Sequence, residues 1–409
     1  MIKKLIKGTL WFLLILIVSL NIFIVLSGRF YLYKGIGYTY LSGKSGPGIY
    51  DKDKFYSKRL YKSMHPQPWL IASNAQKIQL TADEEQYMEK YQTKSLLVFR
   101  GDSLIFEKYW DPHGVETVSN SFSAAKTVVG MLVGVALGEG KIKSLDDKVC
   151  RYIPEFSGKG KERVTIHDLL IMASGLDWSE SGSNPLSDNA ESYYGEHLKD
   201  LILRQKVVTE PGKLFNYQSG NSQILAYVVE AATGKDLSQY ADEKLWRPMG
   251  AESDAFWSLD RKNGDEKAFC CLYSTSRDFA RLGKLINHYG KYNGKQLVPE
   301  AYMREMVSNP EMETAEGVPN KRYGLHIWTW LGYRTPVYYC RGIKGQYVIS
   351  IPAENLVIVR TGNQRAPKFA LSEDQLKDKA LCEKYTNTFE QPTDVFYYVK
   401  LAHLLEQRR

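Results

Sequence analysis

The chain has 409 residues, with 54 Lys and Arg against 46 Asp and Glu, a net charge of +8. With 44% hydrophobic and 12% aromatic residues, it is no disordered chain and is long enough for one large domain or two small ones. The basic excess is thin. Its densest run, Lys52, Lys54, Lys58, Arg59 and Lys62, fits a solvated juxtamembrane linker better than a nucleic-acid patch, so no nucleic-acid partner is expected.

Residues 9–27 are apolar apart from Ser19 and Asn21, which is about enough to cross a bilayer. Lys3, Lys4 and Lys7 stand before them, so residues 1–8 are expected to stay in the cytoplasm and the remainder to be exported. Arg29 and Lys34, just beyond, weaken that asymmetry. A cleaved signal peptide is the rival. The apolar stretch is long for one, and no small-x-small site follows Leu26. No cysteine lies near it, which argues against a lipoprotein anchor. The expectation is an uncleaved single-pass anchor with an extracytoplasmic domain, periplasmic or extracellular.

Residues 28–75 have the character of a stalk, punctuated by Gly43, Gly46, Pro47 and Gly48. A folded domain is expected over 76–409. Within it, residues 81–91 are acidic and predict a helix. Residues 95–99 and 103–109 predict two strands joined by a tight turn at Arg100-Gly101-Asp102. The unbroken apolar run after Lys126 predicts a buried helix. Residues 164–172 predict a short helix capped by Thr165 with Asp168 at its third position. Residues 179–192 are polar and predict a loop. A helix follows over 219–232, ended by Gly234, and an amphipathic one over 275–289 through Phe279, Leu282, Leu285 and Ile286. Residues 347–351 and 356–360 predict two antiparallel strands, and the last dozen residues a terminal helix. Strands at both ends around a helical middle predict an α+β fold: an antiparallel sheet flanked by helices, with a mainly helical subdomain.

Ser123-Ala124-Ala125-Lys126 is the only Ser-x-x-Lys in the chain. It places a serine and a lysine one turn apart at the start of the buried helix. A lysine there is costly unless paired or used. A serine hydroxyl needs a base to act as a nucleophile. No Gly-x-Ser-x-Gly elbow occurs. The five cysteines are too irregular for a disulfide scaffold, and a bridge between adjacent Cys270 and Cys271 would be strained. With no Cys-x-x-Cys, His-x-His or His-Glu-x-x-His, no metal is expected. Lys126 is then the available base, provided its ammonium is desolvated. The Ser123 amide, near a helix N-terminus, offers one oxyanion donor.

Two further segments accompany it: Tyr217-Gln218-Ser219, opening a helix, and Gly342-Ile343-Lys344-Gly345, leading into a strand. Each residue also has an ordinary reading. Ser123 and Ser219 could be helix caps, Tyr217 one packed aromatic among 28 tyrosines, and Lys344 a solvated turn lysine. His167 and His197 read as structural or exposed.

The three segments, in this order, resemble those of the serine β-lactamase and penicillin-binding-protein superfamily. Within it they are most similar to class C β-lactamase-like hydrolases of the esterase, D-amino-acid peptidase and 6-aminohexanoate-dimer hydrolase type. The stretches 169–178, ending in Asp177-Trp178, and 273–283 are similar to family landmarks. The resemblance implies Ser123 as the acylated nucleophile, Lys126 as its partner and Tyr217 as a proton relay whose phenolate the nearby ammonium would favour. It implies a substrate-side place for Ser219 and for Gly342, Ile343, Lys344 and Gly345, with the Ile343 amide as the second oxyanion donor. It implies an ester or amide substrate, small or peptidic, and no cofactor. The chain departs from the family where Lys-Thr-Gly is expected at the third segment, which puts a β-lactam carboxylate site in doubt. It also holds Gly182 where the amide hydrolases carry a substrate-holding tyrosine, with Tyr193 and Tyr194 as alternatives. The altered third segment leaves a second function open: a catalytically silent relative that binds cell-wall or peptide material. Specificity is expected in the loops 179–195 and 311–336.

Overall fold

The strands predicted near the two ends of the chain meet in one sheet. The computed structural model describes residues 2–408 apart from 76 and 316. Seven strands lie in the order Trp328–Trp330, Val337–Gly342, Gln346–Ile351, Leu356–Gly362, Thr93–Arg100, Ser103–Tyr109 and Leu70–Ile71. All neighbours are antiparallel except the last pair. Ile358 stands opposite Val98, and Val98 opposite Phe106.

The central strands are apolar on both faces because both faces are covered. Leu97, Phe99, Val357 and Val359 point into a core shared with Leu282 and Leu285 of the helix Ser276–Asn287. Leu96, Val98 and Ile358 point the other way, onto Val395, Val399 and Ala402 of the terminal helix Thr393–Gln407. Gly283 lets its helix lie close to the sheet, since a Cβ there would stand 2.4 Å from Val357 Cγ1.

The helical part is built on Ala125–Gly138, buried from Ala125 to Ala136, packed against Ser219–Thr233. The expected capping box forms at Thr165 with Asp168, a second at Thr81 with Glu84 opens the acidic helix Ala82–Lys90, and Gly234 ends its helix in the left-handed region at φ 69°. The fold is thus α+β with a helical subdomain, as the sequence predicts.

Residues 28–75 do not stand off as a stalk. The helix Tyr31–Tyr38 packs against Asp188–Tyr194. Ser57–Leu60 pairs with Ala255–Ser258 in a second sheet, and Leu70–Ile71 joins the first. These elements are too short to show a period in sequence, and pairing with the body orders them. The second half of the 179–192 loop is likewise helical, Asp188–Tyr194, capped by Ser187. Cys270 and Cys271 are disulfide-bonded to each other, in a turn where Cys271 takes a φ of 68°. Ahead of everything lies the helix Ile2–Ser27, long and apolar enough to cross a membrane.

Candidate active site

The second sheet delivers Ser123. Its edge strand Ser119–Asn120 runs into a tight turn, Phe122–Ala124, that continues as the buried helix Ala125–Gly138. Phe122 sits at φ 45°, a left-handed conformation uncommon for a bulky residue. Its N–H donates to the Asn120 side-chain oxygen at 2.8 Å. The turn leaves Ser123 half-buried at a pocket and points Lys126 inward.

Lys126 is 1% exposed, and its ammonium donates to Ser123 Oγ at 3.1 Å, Ser219 Oγ at 3.1 Å and the Phe269 carbonyl at 2.7 Å. None of these acceptors carries a full charge. Burial therefore dominates and lowers the Lys126 pKa to about 8, with the Glu180 charge acting weakly the other way. The lysine is a base that can lose its proton near neutrality, already hydrogen-bonded to a serine hydroxyl.

Tyr217 lies beside the pair, but not as the sequence predicts. Lys126 Nζ sits 5.2 Å above the centre of its ring, and burial raises the phenol pKa despite a hydrogen bond with Ser123 that lowers it. The phenolate is disfavoured, and Tyr217 stays a neutral O–H. Its ring packs at 5.4 Å from that of Trp328 and 5.9 Å from that of Tyr323, so the 311–336 loop serves as its backing.

Ser219 is not a helix cap. It follows the cap position, held by Gln218, and its hydroxyl lies between Lys126 and a carboxylate the motifs do not reveal. Ser219 Oγ donates to Glu180 Oε1 at 2.7 Å, while the Ser219 N–H and Trp178 Nε1 donate to Oε2 at 2.7 and 2.8 Å. Glu180 thus satisfies an orphan amide at the N-terminus of the helix Ser219–Thr233, where negative charge is favoured. The one sequence signal for it is an acid two residues beyond Asp177-Trp178. Gln218 fixes that stretch by donating to the Leu176 carbonyl at 2.7 Å.

The third segment closes the site from the sheet side. Gly342 ends its strand against the nucleophile turn, and a Cβ there would stand 2.1 Å from the Ser121 carbonyl oxygen. Gly345, at φ 83°, gives the same clearance to Arg360, whose Nη1 would be 2.2 Å from a Cβ. Between them Ile343 is 48% exposed and borders the pocket. Lys344 does not border it. Burial lowers its pKa, while Asp51 acts to raise it. Because backbone blocks the space, Gly342→Ala should push the two walls apart. We expect kcat/KM to fall about 100-fold, as for an ångström-scale misplacement, and stability by about 1–3 kcal/mol. Ester turnover and thermal melting check both.

Between these walls lies a cavity of ≈360 Å³ that reaches Ser123, Glu180, Ser219 and Ile343, within the size range of ligand pockets. Gly182 borders it with no heavy atom within 4 Å of where a Cβ would stand, so that wall is open. Tyr193 and Tyr194 line the far side. Burial raises both phenols, Tyr194 to about 12. His167, on the helix Ile166–Leu170, and the exposed His197 stand outside the site. Among the described residues, no group of three or more His, Cys, Asp or Glu side chains is placed to hold a metal ion.

The chain is similar to several known proteins. The family model for beta-lactamase matches residues 80–381. The 6-aminohexanoate-dimer hydrolase of Paenarthrobacter ureafaciens is 26% identical over 302 residues, 70% of this chain and 76% of that one. The esterase EstB of Burkholderia gladioli is 28% identical over 177 residues, 40% of this chain and 45% of that one. A Bacillus anthracis structure provisionally named a 6-aminohexanoate-dimer hydrolase superposes with a TM-score of 0.70 at 19% identity, covering 88% of this chain and 94% of that one. With the family model matched over most of its length and its fold shared with solved members, the chain belongs to the beta-lactamase family of hydrolases.

Proposed function

We propose that the protein is a membrane-anchored, extracytoplasmic serine hydrolase that cleaves an ester or amide through an acyl-enzyme on Ser123. The observation that carries this reading is the buried Lys126 ammonium, hydrogen-bonded to Ser123 Oγ at 3.1 Å with its pKa drawn down to about 8. Neutral Lys126 takes the hydroxyl proton as Oγ attacks the substrate carbonyl. In this scheme the Ser123 and Ile343 amides donate to the oxygen that becomes negative. Tyr217 hands its proton to the departing alcohol or amine as protonated Lys126 passes its own to Tyr217, which leaves the lysine neutral and the phenol intact. Water then attacks the acyl-enzyme with Lys126 again as base, releasing the acid and restoring the serine.

Ser219 and Glu180 act through Lys126. The hydroxyl aims the ammonium, and the carboxylate aims the hydroxyl. Lys344, which does not border the cavity, has no part in this scheme. The export half of the reading rests on the Ile2–Ser27 helix, on the lysines at its start and on the Cys270–Cys271 bridge, a bond that persists in oxidising compartments. The silent-binder reading has only the altered third segment in its favour, and against it Ser123, Lys126 and Tyr217 are all present and mutually in reach.

Glu180→Gln tests the positioning chain. Glu180 holds the Lys126 pKa up, so removing its charge should move the rising limb of the kcat/KM–pH profile to lower pH. Loss of its hydrogen bonds to Ser219 should lower the plateau about 10-fold. A profile that keeps its position on the pH axis would remove Glu180 from the account. No turnover of a short acyl ester or of a D-amino-acid amide by the full chain, with no covalent adduct from either, would favour the binder.

A further inference from the structure

One wall of the cavity lies outside the stretch that matches the family. Residues 31–47 supply Tyr31, Leu32, Ile36 and Tyr40 to it, whereas the family match begins at residue 80. This wall starts only a few residues after the helix Ile2–Ser27 ends. Ile24, in the last turn of that helix, is buried against Tyr31 and Leu32, with Ala190 and Tyr194 packed on the same cluster. Those same four residues border the cavity. A single layer of side chains therefore separates the end of the apolar helix from the space in front of Ser123.

The connection is stiff. Tyr31 Oη donates to the Pro185 carbonyl at 3.0 Å, Arg29 donates to the Leu186 carbonyl at 3.1 Å, and Tyr33 Oη donates to the Asn21 side chain at 2.7 Å. The catalytic body thus has no slack with which to stand away from a bilayer that holds the helix. Around the junction Phe30, Tyr33, Tyr40 and Leu41 are exposed, the residue types that settle at a membrane interface.

From this we infer that the substrate is an amphiphile: an ester or amide whose apolar chain stays in the outer leaflet while its scissile carbonyl enters between the 31–47 wall and Ser123. The inference rests on the anchored serine-hydrolase reading and adds the substrate class to it. Tyr31, Leu32 and Ile36 offer the apolar side of the cavity to the chain, and Glu180, Ser219 and the Ser123 turn meet the polar end. Ser123 Oγ replaces the alcohol or amine, which leaves with a proton, and water then frees the acid.

The test uses the full chain in phosphatidylcholine vesicles with two probes, water-soluble p-nitrophenyl acetate and p-nitrophenyl hexadecanoate carried in the vesicle. Burial of added methylenes favours the long chain, and the expected ratio of kcat/KM, long over short, is about 10 or more. Ile36→Ser, at a partly exposed position, and Leu32→Ala should each lower that ratio about fivefold. A wild-type ratio near one overturns the inference, as does a ratio that both variants leave unchanged. If neither variant folds, the wild-type ratio still decides. Labelling of Ser123 by a fluorophosphonate, and flotation with the vesicles, report separately on the underlying reading. Label and flotation with a flat ratio sink the amphiphile alone. An unlabelled wild type sinks the serine-hydrolase reading, and a chain that does not float sinks the anchoring together with the amphiphile.

Discussion

Ser123→Ala is expected to lower kcat by about 10⁴-fold or more while leaving the fold intact. Removing a nucleophile from a site that acts as a unit removes nearly all of its chemistry, and only binding and oxyanion contacts remain. The structural effect should be small. Ser123 is half-buried, and Lys126 keeps its donations to Ser219 Oγ and the Phe269 carbonyl. The melting midpoint should therefore correspond to a change within about 1 kcal/mol of wild type. Steady-state ester hydrolysis and a thermal melt on the same preparation separate the two quantities. Residual activity within 100-fold of wild type would mean that another group is acylated.

Lys126→Met should be nearly as damaging, with kcat/KM falling about 10³-fold or more. It also carries a signature that a structural lysine would lack. With a pKa of about 8, Lys126 in the folded protein is mostly protonated at pH 7 and mostly neutral at pH 9. Wild-type kcat/KM should therefore rise about tenfold between those values, and the methionine variant should lose that rise.

Stability carries the same sign. The folded-state pKa lies below the unfolded value of 10.5, so the unfolded chain binds the extra proton and burying the charge costs stability at low pH. That penalty is fully present below about pH 8 and disappears as pH climbs toward 10.5. Its full size is about 3 kcal/mol at 1.36 kcal/mol per pKa unit. Wild type should gain stability on the variant across that window, measured by denaturant melts at pH 7 and pH 10. Lys267, also buried with a lowered pKa, is present in both proteins and cancels from the comparison.

The features that sequence discloses are those whose cause is local. Ser123 and Lys126 stand out because their spacing and the apolar run behind them are both visible in one window. The strands Gln346–Ile351 and Leu356–Gly362 announce themselves as short apolar runs, and Thr165 is a cap whose partner lies three residues on. Gly342 and Gly345 can be noticed, but the reasons for them, the Ser121 carbonyl and the Arg360 guanidinium, lie far away in the chain. Tyr217 is found by its motif, yet its protonation state is set by burial among Trp328 and Tyr323. Proximity to an ammonium alone predicts the opposite direction. Glu180 stays hidden because a carboxylate in a polar stretch is ordinary until Ser219 and Trp178 close on it. Residues 31–47 look like a linker for a similar reason. Their short elements have no period, and only contact with the helix Asp188–Tyr194 and the cavity gives them a role.

The central claim is a covalent intermediate on one serine. Intact-mass spectrometry of the full chain after brief exposure to a slowly turned-over acylating ester, followed by peptide mapping, tests it most directly. The account predicts a single acyl adduct on the peptide containing Ser123, absent from Ser123→Ala and accumulating faster at pH 9 than at pH 7. An adduct on any other residue, or one that persists in Ser123→Ala, would contradict it.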